Sequence, residues 1–142
     1  MIILDTNVIS ALMEEHKNPI VTEWVLRYEE QNLWLTSTSV AEILFGIAIM
    51  PRGKRRAELA LVAAMILERF DGRILSFEEG SAILFAGITA ERRKRGLSIE
   101  VEDGQIAAIC RQHGATLATR NTKDFLHTGV ELVNPWDVDG IS

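Results

Sequence analysis

The chain has 142 residues, of which 47% are hydrophobic and 25% charged, so it is long enough to bury one core and too apolar for a disordered segment. Its net charge of −5 argues against a protein that coats nucleic acid by charge alone, but not against carboxylates that bind a metal ion. No apolar run is long enough to span a membrane, and no basic region precedes the apolar start. We therefore expect a single cytoplasmic domain over residues 1–142, with its one cysteine, Cys110, in the core.

The first predicted strand leads directly into polar residues. Ile2-Ile3-Leu4 is a short apolar run, and it is followed by Asp5, Thr6 and Asn7 before apolar periodicity resumes in a helix. Ligands of open α/β sheets bind at the carboxyl ends of strands, which makes Asp5 and Asn7 candidate site residues. Both residue types are also common helix caps, so this segment alone leaves the two interpretations open.

A second predicted strand, residues 33–36, leads through a Ser-Thr-Ser cap into a helix over residues 38–50. Glu42 is the only charged side chain of this strand and helix. A buried, unpaired carboxylate is costly unless a cation or hydrogen bonds compensate it. Glu42 is therefore expected to be a metal ligand or catalytic residue, with pairing to a buried arginine as the alternative. Phe45 and Ile49 form a second apolar face of this helix, which predicts a homodimer interface.

The middle of the chain predicts a long amphipathic helix after Gly53, a short strand at residues 73–76, and a further helix that stops at Gly96. The spacing of this last helix directs three apolar residues toward the core, namely Ile83, Ala86 and Ala90. Basic residues cluster at positions 52–56 and 92–95, where either group is suited to a phosphate backbone. For the second group, a solvated helix end is the alternative.

Asp103 falls in the first turn of a helix that should end at His113-Gly114. An acid in a first turn also suits the helix dipole, so its position alone does not assign it a role. A fourth strand at residues 115–119 follows at once, and a fifth is predicted at residues 130–133. Alternating strands and helices predict a three-layer α/β/α fold with a central parallel sheet of about five strands.

In such a sheet, segments distant in the chain meet at one edge. Asp5, Glu42 and Asp103 are expected to converge there, beside Thr119 and Asn121 from the turn after the fourth strand. Carboxylate oxygens in excess favour a hard cation such as Mg²⁺ or Mn²⁺, which keeps waters for a substrate phosphate. The sequence therefore predicts a divalent metal site at this edge.

Four segments resemble the signature segments of the PIN domain and occur in the family's order. They are Ile3 to Ile9, Ser39 to Ile43, Asp103 to Ala108 and Ala118 to Phe125. Among PIN proteins, the chain is most similar to the VapC-type toxins of bacterial toxin-antitoxin pairs, in particular the FitB-like branch. That branch shares two further segments, Arg73-Ile74-Leu75 and Asn134-Pro135-Trp136.

The resemblance implies a metal-dependent endoribonuclease with acidic residues at Asp5, Glu42 and Asp103, a homodimer, and a cognate antitoxin that inhibits it. Members of this branch can carry a fourth acid directly after Thr-Arg, where this chain has Asn121, with Asp124 three residues later. Asn121 is still able to bond a metal-bound water. The number of bound metal ions therefore stays open.

The expected chemistry assigns a role to each residue type. Asp5 and Asp103 would bind the metal, which activates water and stabilises charge on the leaving oxygen. Glu42 would complete the shell or orient the water, and Asn7, Thr119 and Asn121 would support these groups.

Two alternatives from other classes remain. The segment around Asp5 is similar to the nucleophile strand of haloacid-dehalogenase-like phosphatases, in which Asp5 would form an aspartyl-phosphate. Those enzymes need a second aspartate two residues later, where this chain has Asn7. The other alternative is a catalytically inactive PIN-like binding module, in which three carboxylates would repel one another without a metal.

Overall fold

The computed structural model describes residues 1–140, with side chains described through Asp137. Within this range a single parallel sheet contains five short strands, namely β1 (Ile2–Leu4), β2 (Leu33–Thr36), β3 (Ile74–Leu75), β4 (Thr116–Ala118) and β5 (Glu131–Val133). Their order across the sheet is β3-β2-β1-β4-β5, so β1 is central. In residues 1–140, no helix has the length and apolarity needed to cross a membrane.

Helices cover both faces of this sheet, which confirms the predicted three-layer α/β/α fold. The α-helices of the described range are α1 (Thr6–Met13), α2 (Pro19–Val25), α3 (Ser37–Ala48), α4 (Lys54–Arg69), α5 (Glu79–Lys94) and α6 (Val101–His113). Short 3₁₀ turns lie at Glu15–Lys17, Glu30–Asn32, Thr122–Phe125 and Pro135–Gly140.

Each face of the sheet has its own apolar core, and β1 contributes to both. Ile3 packs into the core under α5 and α6, whereas Leu4 packs into the core under α1 and α2. Both residues are 0% exposed, as expected for alternating side chains of a central strand. Trp24 fills the second core and Cys110 the first, so the prediction of a buried, unpaired cysteine is confirmed.

Local capping explains where the helices around the sheet edge begin and end. The Asp5 carboxylate accepts a hydrogen bond from the backbone N–H of Thr6 and so caps α1. Thr36 caps α3 by accepting from the backbone N–H of Ser39, so the cap lies one residue before the expected Ser-Thr-Ser segment. Helix α6 ends at Gly114 in the left-handed region, with φ of 59°, where glycine is favoured.

The predicted buried face of α5 is wrong. Ile83 is 69% exposed, and the buried residues of this helix are Ser81, Ile88 and Arg92. The Ser81 hydroxyl accepts a hydrogen bond from the backbone N–H of Glu78, which fixes the start of the helix. Two of the three buried residues of this helix, Ser81 and Arg92, are polar, so apolar periodicity does not identify the buried face.

Arg92 is neither a solvated helix end nor a phosphate contact, because its side chain is only 4% exposed. Its guanidinium donates hydrogen bonds of 2.6 Å each to the backbone carbonyls of Ser98 and Leu126. These carbonyls belong to the loop before α6 and to the loop after the Thr122–Phe125 turn. Arg92 therefore ties two loops that flank the carboxyl edge of the sheet.

Candidate active site

A cavity of about 480 Å³ opens at the carboxyl edge of the sheet, beside the ends of β1 and β4. It is lined by Asp5, Thr6, Asn7, Ser10, Ala11, Glu14, Asn18, Glu42, Asp103, Arg120, Asn121 and Trp136. The three predicted acids thus line one cavity, although they come from β1, α3 and α6. We call this space the acid cavity.

Asp5 is held at the bottom of the acid cavity by three donors. Its Oδ2 accepts from the Thr119 hydroxyl at 2.7 Å and from Asn7 Nδ2 at 3.3 Å, and its Oδ1 accepts from the Thr6 backbone at 2.8 Å. Burial raises the pKa of Asp5, these hydrogen bonds oppose the rise, and the nearby charge of Asp124 adds to it. Asp5 is therefore both a helix cap and a cavity residue, so the two interpretations of the sequence are compatible.

Glu42 is joined to the start of α1 by a hydrogen bond. The Thr6 hydroxyl donates to Glu42 Oε1 at 2.8 Å and lies 3.0 Å from the hydroxyl of Ser39. Burial is the main reason why the pKa of Glu42 is raised, and the charges of Asp5 and Glu102 add to the effect. Among the ion pairs formed by residues 1–137, none includes Glu42, so a buried arginine is not its partner there.

Asp103 has the most strongly perturbed acidity of the cavity carboxylates. Burial in the first turn of α6 raises its pKa to about 7, and the charges of Asp5, Asp124, Glu42 and Glu100 contribute in that order. A pKa raised by several neighbouring acids at once indicates an excess of negative charge that the surrounding side chains do not compensate.

The supporting residues connect the turn after β4 to Asp5. Asn7 bonds Asp5 and, at 3.3 Å, the Thr119 hydroxyl, while its Oδ1 accepts from the backbone N–H of Arg120. The backbone N–H of Asn121 donates to the same Thr119 hydroxyl at 3.0 Å, and Asn121 lines the cavity. Asp124 is exposed and is not among the lining residues, so it acts on the cavity through its charge.

Sequence reasoning did not single out Ser10 and Glu14, which belong to the wall formed by α1 and its end. Thr6, Ser10 and Glu14 line the cavity at four-residue spacing, which places them on one face of the helix and its end. The sequence does show these polar residues at helical spacing directly after β1, and this pattern could have predicted that α1 forms a wall of the cavity. Arg120 also lines the cavity, although the sequence had assigned it no role.

The donor set suits a hard divalent cation with a partly hydrated shell. In the described range, no three His, Cys, Asp or Glu side chains lie close enough together to form a closed ligand cluster. Mg²⁺ needs no such cluster, because it is commonly bound by one or two carboxylates and keeps its waters. Asp5 and Asp103 are oxygen donors with raised pKa values and no ion-pair partner among residues 1–137. They are the residues that could hold the ion.

Comparison with known proteins agrees with this geometry. The PIN domain family model matches residues 2–131, and the chain belongs to the PIN domain family. It is 39% identical over 138 residues to the plasmid stability protein StbB of Pseudomonas syringae pv. tomato, covering 96% of this chain and 99% of that protein.

Two further relatives match over nearly their whole length. The chain is 37% identical over 138 residues to the VapC ribonuclease Y4jK of Sinorhizobium fredii, and 38% identical over 137 residues to the toxin FitB of Neisseria gonorrhoeae. Each alignment covers 96% of this chain and 99% of the relative.

A solved structure supports the same assignment. A chain of the crystal structure of FitAcB from Neisseria gonorrhoeae superimposes with a TM-score of 0.89 at 38% identity. The match covers 96% of this chain and 99% of that chain. Family membership, together with Asn7 in place of a second aspartate, argues against the aspartyl-phosphate alternative.

Proposed function

We propose that this protein is the endoribonuclease toxin of a toxin-antitoxin pair, which acts in the cytoplasm and hydrolyses RNA phosphodiester bonds with Mg²⁺ or Mn²⁺. The observation that carries the proposal is the acid cavity, which Asp5, Glu42 and Asp103 all line and in which none of these three acids forms an ion pair with a basic side chain of residues 1–137. Similarity to a VapC ribonuclease and to the toxin FitB over nearly the full length supports the same activity.

In this proposal, Asp5 and Asp103 would hold the ion. A bound Mg²⁺ or Mn²⁺ supplies positive charge for the scissile phosphate and lowers the pKa of a bound water. Thr119 and the Thr6 backbone fix both oxygens of Asp5, so this carboxylate needs little reorganisation when the ion arrives.

In this proposal, Glu42 would receive a proton. Its Oε1 is occupied by the Thr6 hydroxyl, which leaves Oε2 to accept the proton of the water that attacks phosphorus. The new bond joins that water oxygen to phosphorus, and the bond from phosphorus to the leaving 3′-oxygen breaks. The leaving oxygen takes its proton from solvent, to which the cavity is open.

A direct test compares RNA hydrolysis by antitoxin-free protein in EDTA and after addition of Mg²⁺ or Mn²⁺. We expect cleavage only with the metal, and a loss of at least about 10³-fold in kcat for Asp103→Asn, because the substitution removes a charged oxygen ligand. Asp71→Asn is a matched control, because Asp71 is exposed and is not among the residues lining the acid cavity.

Two results would contradict the proposal. Full activity in EDTA would exclude a metal-dependent reaction. An unchanged kcat in Asp103→Asn would exclude the acid cavity as the active site. Folded wild-type protein that cuts no RNA with either metal would instead support the inactive binding module.

The proposed partner is a cognate antitoxin that inhibits the ribonuclease. The inference rests on similarity to the toxin FitB and to a chain of the FitAcB structure. A short reading frame for a DNA-binding protein immediately upstream of the gene is the expected source. Co-expression of that protein should restore growth to cells that express the toxin, and growth arrest despite co-expression would exclude it as the antitoxin.

The proposed assembly is a homodimer formed through α3. Phe45 on this helix is 65% exposed and Ile49, directly after its end, is 67% exposed, so the second apolar face predicted from the sequence is present on the single chain. Light scattering should give the mass of a dimer for the wild type and of a monomer for Phe45→Glu. A wild-type monomer at micromolar concentration would contradict this assembly.

A further inference from the structure

Arg120 and Trp136 form a cation-π pair at the rim of the acid cavity. The guanidinium carbon of Arg120 lies 4.9 Å from the centroid of the Trp136 ring, and both residues line the cavity together with the three acids. We call these two side chains the rim pair. Neither is accounted for by the metal chemistry proposed above, so the rim pair calls for its own explanation.

The position of Arg120 is fixed relative to Asp5. Its backbone N–H donates to Asn7 Oδ1 at 3.2 Å, and the same Asn7 side chain bonds Asp5 Oδ2. One residue therefore links the backbone of the rim to the carboxylate at the bottom of the cavity. A strand bound by Arg120 would be held at a set distance from Asp5.

The guanidinium of Arg120 is available to an anion. Within the part of the chain that the structure describes, Arg120 is the one basic residue that lines the acid cavity, and it is exposed to solvent. Among residues 1–137 it forms no ion pair, although several carboxylates are near. Its contact is the indole of Trp136, an arrangement that orients the guanidinium plane without neutralising its charge.

Trp136 is a fixed support for this guanidinium. Its backbone N–H donates to Asn134 Oδ1 at 2.9 Å, and the side chain packs partly against the core under α1 and α2. Trp24, by contrast, is 1% exposed and is a core residue. Of these two tryptophans, only Trp136 lines the cavity and can therefore contact a bound nucleotide.

We propose that the rim pair is a subsite for one nucleotide of a single-stranded RNA, next to the bond that is cut. The Arg120 guanidinium binds a phosphate of the strand, and the neighbouring base stacks on the guanidinium-indole pair. The inference rests on the proposed function, because it places that nucleotide beside the acid cavity. It adds a contact that selects an unpaired strand, since a base within a duplex cannot reach a stacking surface.

The first test measures binding without cleavage. A short fluorescein-labelled single-stranded RNA is titrated in EDTA against Asp103→Asn protein, with and without a second substitution in the rim pair. Trp136→Ala should weaken binding by about 5-fold to 150-fold, the range for loss of one stacked base, and Trp136→Phe should restore most of it. Rescue by phenylalanine separates stacking from a loss of folding, which circular dichroism checks.

The salt dependence separates the two members of the rim pair. Arg120→Ala should reduce the slope of log Kd against log salt by about 0.7, the value for one single-strand phosphate contact, whereas Trp136→Ala should leave the slope unchanged. Arg93→Ala is the matched control, because Arg93 is exposed at the far end of α5 and is not a lining residue. An equal effect of Arg93→Ala would overturn the subsite and indicate diffuse charge attraction.

The second test uses the active protein with Mg²⁺. In the otherwise wild-type chain, Arg120→Ala should raise KM about 5-fold to 20-fold and change kcat less than about 2-fold, as expected for a contact made equally in ground and transition states. Single-stranded DNA of the same sequence should compete if phosphate and base alone are read. Failure of single-stranded DNA to compete would contradict a subsite that reads phosphate and base alone.

The outcomes distinguish this inference from the proposed function. RNA binding that depends on the rim pair, without hydrolysis under any metal, would support the proposed subsite and contradict the proposed ribonuclease activity. Hydrolysis with unchanged KM and Kd in Arg120→Ala and Trp136→Ala would support the proposed ribonuclease activity and contradict the proposed subsite.

Discussion

Asp103 of the acid cavity is half-buried and Arg92 is buried, but of these two charged side chains only Arg92 has hydrogen-bond partners among residues 1–137. Two backbone carbonyls accept from Arg92, whereas burial, and then the charges of neighbouring acids, raise the pKa of Asp103 to about 7. A buried charge that is hydrogen-bonded contributes to folding, while one left in excess reduces stability until a ligand binds. The hydrogen bonds of Arg92 stabilise the fold, whereas the uncompensated acids are those that we propose as the metal site.

The largest expected effect on stability comes from breaking the Arg92 contacts. Arg92→Met keeps the length of the side chain but leaves the carbonyls of Ser98 and Leu126 without their donor, which should lower the free energy of unfolding by about 2–4 kcal/mol. Urea denaturation measures this change. Arg93→Met on the exposed side of the same turn should stay within about 0.5 kcal/mol, and an equal loss in both variants would contradict the distinction.

An intermediate effect is expected where α6 meets α5, next to Asp103. A Cβ atom on Gly104 would lie 2.7 Å from Cε2 of Phe85, an aromatic ring that cannot fold away. Gly104→Ala should therefore destabilise the protein by about 1–2 kcal/mol after the gain in helix propensity is counted. Differential scanning calorimetry gives the change in Tm.

Two further variants test the cause of that effect. Gly87 has open space around its position on α5, so Gly87→Ala should stabilise the chain by about 0.5–1 kcal/mol. Phe85→Leu should remove much of the penalty of Gly104→Ala. If both alanine variants behave alike, the close approach of α6 to Phe85 is not the cause.

The smallest expected effect is a pH dependence that arises in the acid cavity. The pKa of Asp103 is raised from 3.8 to about 7, so the folded protein binds this proton more tightly than the unfolded chain does. The free energy of unfolding therefore falls as the pH rises from 3.8 to about 7. Above about pH 7 the whole destabilisation by the ionised Asp103 is present. Because Asp103 is half-buried and partly screened, Asp103→Asn should be only about 1 kcal/mol more stable than wild type at about pH 8 without metal.

Thermal unfolding of both proteins in EDTA measures this difference across the pH range. Near about pH 4 the two curves should meet, because Asp103 is then protonated in the folded state. Addition of Mg²⁺ should stabilise the wild type and not Asp103→Asn. A constant difference at all pH values would show that the substitution acts through packing instead of charge.

Much of the fold followed from local patterns in the sequence. The apolar run before Asp5 gave β1, and the glycine at position 114 gave the end of α6. The order of the strands did not follow, because it depends on contacts between segments distant in the chain. The buried face of α5 was assigned wrongly since Arg92, which is charged, lies on it and Ile83, which is apolar, does not.

The position of the site was also predictable, in contrast to its finer contacts. Because the carboxyl ends of parallel strands lie at one edge of the sheet, the sequence predicted that Asp5, Glu42 and Asp103 would lie on the same side of the fold. The bond from the Thr6 hydroxyl to Glu42 and the stacking of Arg120 on Trp136 depend on side-chain geometry between distant elements. Sequence spacing carries no information about such pairs.

The bond between the Thr119 hydroxyl and Asp5 joins residues 114 positions apart in the chain. Closing so long a loop is slow, and it requires β1 and β4 to be paired before the bond forms. The polar floor of the cavity therefore depends on the pairing of β1 with β4. A chain interrupted before residue 116 would carry Asp5, Glu42 and Asp103 yet lack β4 and the hydroxyl donor that Thr119 supplies to Asp5, so all three acids together do not suffice to build this cavity.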